Sequence, residues 1–395
     1  HADDAHAHDD EHAGDEPGDA HDDEHVDEHA HGAGVAGTRL LVAEADGPRF
    51  VVLDLATGAE LARFGTPGPG IVHPSPDGQL AFVLHPDADR VTVVHSGLSV
   101  VDHGEHADLV EGLPYVVQTV NLGPEPSGFF ARGDDVAVVH DGDGSVAWLD
   151  RRLIGVSLDY VFVAGHGPGA GAVAVFGDHA YVGSQELGRV DVADRAGRTV
   201  ATFDGCPELR AAAAWAGGVA FGCADGVLLI EALGDDTFAA HELANPEAGP
   251  DGARVTALVG DDGAAVLVGD FGQGLVRLDP VARTMTAIAL PAVPLAMGFA
   301  EAGALLVVLT ADGVLHEVDP ATGAVGRSVA VIDAVADAAA APTLAVLGEH
   351  VSVTDSAHDA VAEVHVDAFE VERRLALPFT PRGLAGLAIL GVATH

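Results

Sequence analysis

Lysine is absent from this 395-residue chain: the 18 basic residues are all arginine, set against 61 Asp and Glu. The net charge of −43, with His neutral, argues against partners such as nucleic acid or an anionic membrane and favours cations. Aromatic residues make up only 5% of the chain, with two Trp and three Tyr, too few for an evident quinone or carbohydrate cradle. No uninterrupted apolar run reaches the roughly 18 residues that a membrane span needs, so no membrane insertion is expected. There is no GxSxG elbow, no phosphate-binding P-loop and no CxxC pair. No long stretch carries the period of an amphipathic helix.

What the chain does contain is short apolar β runs separated by Gly, Asp and Pro, among them RFVVLDL, QLAFVLH, DVAVVHD, AAVLVGD and ALLVVLT. Runs of five to seven residues with closely spaced turn signals predict an all-β fold. A longer period lies above them. RFVVLDLATGAELARF (49–64) and GVLHEVDPATGAVGRSV (313–329) are one phrase written twice, and GLVRLDPVARTMTAIAL (274–290) is a third copy. Four strands per repeat of about 40 residues is the pattern of a β-propeller. Eight units can be counted, or seven if the boundaries shift. The first, 37–65, lacks its inner strand, and the others run near 69–122, 125–165, 169–204, 207–243, 253–290, 292–331 and 340–378. PRGLAGLAILG (381–391) is an inner strand without a blade, so the C-terminal strand is expected to close the ring by completing blade one. The propeller domain is placed at 37–395. No WD40-type GH…WD pattern accompanies the repeat.

The two cysteines lie in CPELRAAAAWAGGVAFGC, read as strand, tight turn at AWAGG, strand. With the midpoint between Ala214 and Trp215, Cys206 and Cys223 would face each other across a hairpin, within reach of a disulfide. Two buried thiols are the alternative. A disulfide implies an oxidising compartment. The chain begins on His1 rather than Met, as a cleaved secretory signal would leave it. Both point to an exported, periplasmic or other extracytoplasmic protein.

Residues 1–36 are of another kind. HADDAHAHDDEHAGDEPGDAHDDEHVDEHAH holds eight of the 22 His and 13 Asp or Glu, with almost no large apolar residue. Such a segment cannot bury enough surface to offset ordering entropy and is read as disordered. Imidazole nitrogens mixed with carboxylates form the ligand set that suits Zn²⁺, with Cu²⁺ and Ni²⁺ as competitors. His6, His8, His12, His21, His25, His29 and His31 are assigned to metal capture. In HDDEH (21–25) and HVDEH (25–29) the His spacing of four would align the rings on one helical face.

The second repeat is about 15 residues too long, and the surplus, SGLSVVDHGEHADLVEGLP (96–114), falls between its third and fourth strands. Strand alternation puts that loop on the face where the tail enters and the closing strand ends. His103 and His106, with Asp102 beside them, and His395 would then share a surface and complete a four-coordinate zinc sphere. A competing grouping uses His85 and His140, which end equivalent strands, with His395 on the opposite face. His179, His316, His350 and His365 read as surface or satisfied polar residues. The turns HDGDG (140–144) and DPATG (319–323) lack full calcium-loop spacing and read as Asp-Gly turns.

VDHGEHADL (101–109), DGDGSVAWLD (141–150) and GCPELRAAAAWAGGVAFGCADGVLL (205–229), with the His-rich N-terminus and the terminal His, resemble the AztD family of periplasmic zinc metallochaperones. The resemblance covers essentially the whole chain. It implies a non-enzymatic propeller that binds zinc at a His-containing site and passes it to the substrate-binding protein of a zinc ABC importer. By similarity the His103–His106 loop and His395 are the positions carried over. The chain departs from the pattern where it reads PEPSGFF (124–130), GHGPG (165–169) and LRAAA (209–213), keeping only His166 of the His expected there. A site that depends on a His near Gly128 is incomplete, with His140 or tail donors as substitutes. The expectation is a monomeric zinc chaperone. The rivals are an enzyme acting in the propeller channel, lactonase- or dehydrogenase-like, and a scaffold whose tail only buffers metal.

Overall fold

The chain forms two units, His1–Gly34 and Val35–His395. A computed structural model describes residues 37–103, 107–247, 252–336 and 341–389, all in the second unit, although the side chain of Asp102 is not described. These residues form eight four-stranded antiparallel sheets, the blades of an eight-bladed β-propeller, and one additional two-stranded hairpin. In blades two to eight the chain fills each sheet from the inner strand (A) outwards (B, C, D). Blade one is built differently. Its strands B, C and D are Thr38–Glu44, Arg49–Asp54 and Glu60–Gly65, while strand A is Pro381–Ala388 from the far end of the chain. The register runs from Thr38 opposite Ala388 to Glu44 opposite Pro381, so the ring closes as the orphan inner strand predicts.

Strand position explains composition. The middle strands of a blade pack on both faces, and Leu80–His85 and Leu305–Thr310 are buried at every residue. Outer strands alternate: Glu370–Ala376 exposes every second side chain. Inner strands converge on the axis, and two of them, Ala211–Trp215 and Pro381–Ala388, are rich in Gly and Ala. A Cβ on Gly386 would stand 2.4 Å from Leu347 Cγ, an overlap that holds this position to glycine. The hydrophobic clusters lie in the seams, Leu40, Val42 and Leu53 of blade one packing with Val361 and Leu377 of blade eight.

The disulfide Cys206–Cys223 is formed, with Cα atoms 4.9 Å apart. Its setting differs from the sequence reading. The hairpin turns at residues 216–217, since Trp215 pairs with Gly218, so Arg210 rather than Cys206 lies beyond the last rung opposite Cys223. Cys206 reaches the bond from the linker ahead of the strand, where Glu208 takes a left-handed φ of 50° and Ala224 N–H donates to Pro207 O at 2.8 Å. The aspartate turns are local caps. Asp319 Oδ1 accepts from Ala321 N at 2.8 Å and Asp54 Oδ1 from Thr57 N at 2.7 Å, so these carboxylates are spent on backbone.

Candidate metal sites

The surplus of blade two is the extra hairpin, Leu98–Asp102 paired with Ala107–Glu111, between strands C (Arg90–His95) and D (Tyr115–Val120). Arg39, 3% exposed, anchors its base. Its Nη1 donates to the carbonyls of Ser96 and Gly112, and its Nη2 lies 3.7 Å from Glu111. The same face carries the other ends foreseen from the sequence. A Cβ on Gly37 would meet Leu109 Cδ2 at 2.4 Å, and one on Gly78, in the A–B turn of blade two, would meet Ala388 O at 2.0 Å. The point where the N-terminal segment joins, the hairpin and the end of the closing strand are therefore neighbours. His103 at the hairpin tip is exposed, its Nε2 3.3 Å from Asp108 Oδ2. His106, His395 and the tail His residues 6, 8, 12, 21, 25, 29 and 31 lie outside the described residues.

The opposite face holds His85, His140 and His166 on separate supports. His85, 1% exposed, has both nitrogens engaged, Nδ1 at 3.0 Å from Pro69 O and Nε2 at 3.1 Å from Thr92 Oγ1. His140 is fully buried, Nδ1 lies 3.2 Å from both Ser145 oxygens, and Nε2 has no hydrogen-bond partner. Burial pushes both rings below the ordinary imidazole pKa, so they are neutral at pH 7. The loop bearing His166 is zipped to the HDGDG turn by Gly167 N to Asp143 O at 3.2 Å and Gly169 N to Asp141 O at 2.8 Å. His166 Nε2 contacts buried Asp191 closely, and that carboxylate is also held by Thr202 Oγ1 at 2.7 Å and Arg189 Nη2 at 3.2 Å. Thus His166 is backed by a carboxylate, as metal-bound imidazoles often are. Even so, His85, His140 and His166 do not converge on one metal-sized point.

One group of at least three donors does converge among the described residues: His350, Glu363 and Glu372, in strands B, C and D of blade eight. Reading His350 and His365 as surface or satisfied residues missed it. The signal is Glu363 itself, a carboxylate in AVAEVH where the strand is otherwise apolar and buried. Glu363 is 1% exposed.

Against the inner strands of blades two, three, five and six, one cavity is lined by Ser75, Arg132, Asp261 and Asp262; another, of about 640 Å³ against those of blades one, two, seven and eight, has no Asp, Glu or Cys among its described lining residues. Its imidazole, His73, stacks on Phe129 with ring centres 4.5 Å apart, and burial lowers its pKa to about 4.

Fold and side chains thus define an eight-bladed propeller with imidazole–carboxylate groupings at its rim. The resemblance read from the sequence is matched. The chain is 27% identical over 316 residues to the zinc chaperone AztD of Citrobacter koseri, covering 76% of this chain and 73% of that protein. The crystal structure of Citrobacter koseri AztD superposes with a TM-score of 0.83 at 24% identity, covering 91% of this chain and all of that one (100%). Dihydro-heme d1 dehydrogenase NirN superposes with a TM-score of 0.61 at 15% identity over 88% of this chain and 74% of its own. That likeness concerns the fold alone, and since NirN is an enzyme, fold does not decide chemistry. No protein-family model matches the chain.

Proposed function

We propose that this protein is an exported zinc metallochaperone that captures Zn²⁺ and passes it to the substrate-binding protein of a zinc ABC importer. The observation that carries the reading is the similarity to the zinc chaperone AztD over 316 residues. The chain's own chemistry agrees with it. A net charge of −43, with His counted neutral, concentrates cations, and 22 His supply imidazole donors. No helix among the described residues is long and apolar enough to cross a membrane.

Division of labour follows from the ligands. The His/Asp/Glu-rich segment over 1–36 gathers metal by many weak contacts and raises its local concentration at the propeller. The hairpin bearing Asp102, His103 and His106, with His395 as a further donor, receives metal on the face where that segment joins. A propeller-borne site holds the ion until a partner with better-organised ligands takes it. The protein acts as a monomer.

A zinc competition titration against a calibrated chelator, on the full chain and on a chain starting at Gly34, tests this division. The shortened chain is expected to keep about one tight Zn²⁺. Loss of all tight binding with the segment would leave a buffer in place of a chaperone. Because His must be neutral to ligate, affinity is expected to fall as pH drops through about 6–7. Flat affinity from pH 7.5 to 5.5 would contradict His ligation.

A further inference from the structure

Blade eight departs from the ring's own repeat at one place. Strands C and D of several blades pair with the same bulge, and the residue before the bulge and the residue skipped by it are apolar. They are Val52 and Leu61 in blade one, Val93 and Val117 in blade two, Val192 and Val200 in blade four. In blade eight the same two positions are Glu363 and Glu372. Blade seven also carries a carboxylate at its bulge, Glu317, to which Arg327 Nε donates, but Gly326 stands where a second would be; blade eight sets two carboxylates side by side, one of them 1% exposed. Burying charge in a seam is costly unless other charges answer it.

Arg373 answers half of it. Its Nε donates to Glu363 Oε2 at 2.7 Å, and its Nη1 donates to Ala56 O of blade one at 3.2 Å. That leaves Glu363 Oε1 and the Glu372 carboxylate. His350 Nδ1 lies 3.2 Å from Glu363 Oε1 and 3.4 Å from Glu372 Oε2. Yet this buried nitrogen satisfies the geometry of a hydrogen bond to neither. Four donors around a tetrahedral zinc, at about 2.0–2.2 Å each, stand roughly 3.4 Å from one another. The two separations from His350 Nδ1 have that spacing, and one ligand atom of each of the three residues lies within 4.8 Å of the others.

We propose that His350 Nδ1, Glu363 Oε1 and Glu372 Oε2 hold one Zn²⁺ at the seam between blades eight and one. Arg373 is a positioning residue: it fixes Glu363 and leaves one oxygen for the metal, as outer partners of metal ligands do. Three protein ligands leave a fourth position for water or an incoming donor. The edge-on ring of His365, 5.2 Å from that of His350, flanks the site. Glu372 is 49% exposed, so one side is open to exchange. An ion held this way can be surrendered without opening the propeller. The inference stands apart from delivery: a chain that holds zinc here but hands it to no partner would keep this site and lose the chaperone reading.

The test uses the full chain loaded with Zn²⁺. Anomalous diffraction at the zinc edge is expected to place an ion bonded to His350 Nδ1 and Glu363 Oε1. In a chelator competition, Glu372→Gln, a half-exposed change that keeps the fold, is expected to weaken one zinc equivalent by at least the roughly 10–100-fold that losing a mere outer partner costs, while leaving the others. The more disruptive Glu363→Gln, checked by thermal unfolding, should weaken the same equivalent. Zinc peaks elsewhere with none here, or a Glu372→Gln titration that overlays the parent, overturns the site. So does an NMR titration in which the His350 ring responds to pH but not to zinc, which would make it an imidazolium paired with two carboxylates.

Discussion

His73 carries a proton-linked cost that can be read at a single ring. Unfolded, its imidazole protonates near pH 6.5; folded and stacked on Phe129, it resists until about 4. The unfolded state therefore binds the extra proton between these values. Stability is full above pH 6.5 and declines as pH falls towards 4, by up to about 3 kcal/mol. Urea unfolding at pH 7 and pH 4.5 is expected to show that loss on top of the share of the other buried rings, His85 and His140, and His73→Phe, which keeps the stack, should remove the His73 share. An equal loss in the variant would place the proton elsewhere. Residue-level features were unequally legible. His103 announces itself in DHGEH because its neighbours in sequence carry the same chemistry. Glu363 does not, because its partners come from two other strands and meet it only after the blade folds. The one local trace is a charge inside AVAEVH, a strand buried on both faces, where every position calls for an apolar side chain.

Elements fold from local signals, and there the sequence was more open. The repeated phrases around DLATG and DPATG mark strand C, an aspartate turn and strand D, and the structure builds them as such. The cysteine pair was legible as a disulfide but not in its register. Placing the turn at the midpoint ignored the two-residue connection at Ala216–Gly217, and the chain absorbs the offset in the linker before Leu209. Its loop has a sequence separation of 17 residues, and a crosslink of that span stabilises by about 3 kcal/mol in the chain-entropy picture. Replacing both cysteines by Ser should lower the unfolding free energy by that order; no change in the urea midpoint would refute it. The hairpin of blade two hangs on Arg39. Arg39→Met leaves the Ser96 and Gly112 carbonyls without their donor, at about 1–3 kcal/mol each. Amide exchange should accelerate across 98–111 and stay unchanged in blades four to six; uniform acceleration would mean that the arginine supports the whole ring.

At the scale of the molecule, ring closure and charge act together. Strand Pro381–Ala388 completes blade one, so both ends of the propeller unit reach the neighbourhood of the blade-two hairpin. This topology was legible, because an inner strand without a blade and a blade without an inner strand can be matched on paper. Which site holds metal was not, since metal sites are assembled by seams. On the proposed reading, the acidic surface gathers cations, the imidazoles select a borderline metal, and half-open ligation at the rim lets it leave. The measurement that bears most directly on this account is transfer. The zinc-loaded full chain is mixed with the metal-free binding protein of a zinc importer in the presence of excess chelator. The account predicts that the binding protein acquires zinc faster than the chain loses it to chelator alone, at a rate that rises with binding-protein concentration. Transfer no faster than free dissociation, with the chelator taking the metal, would contradict it.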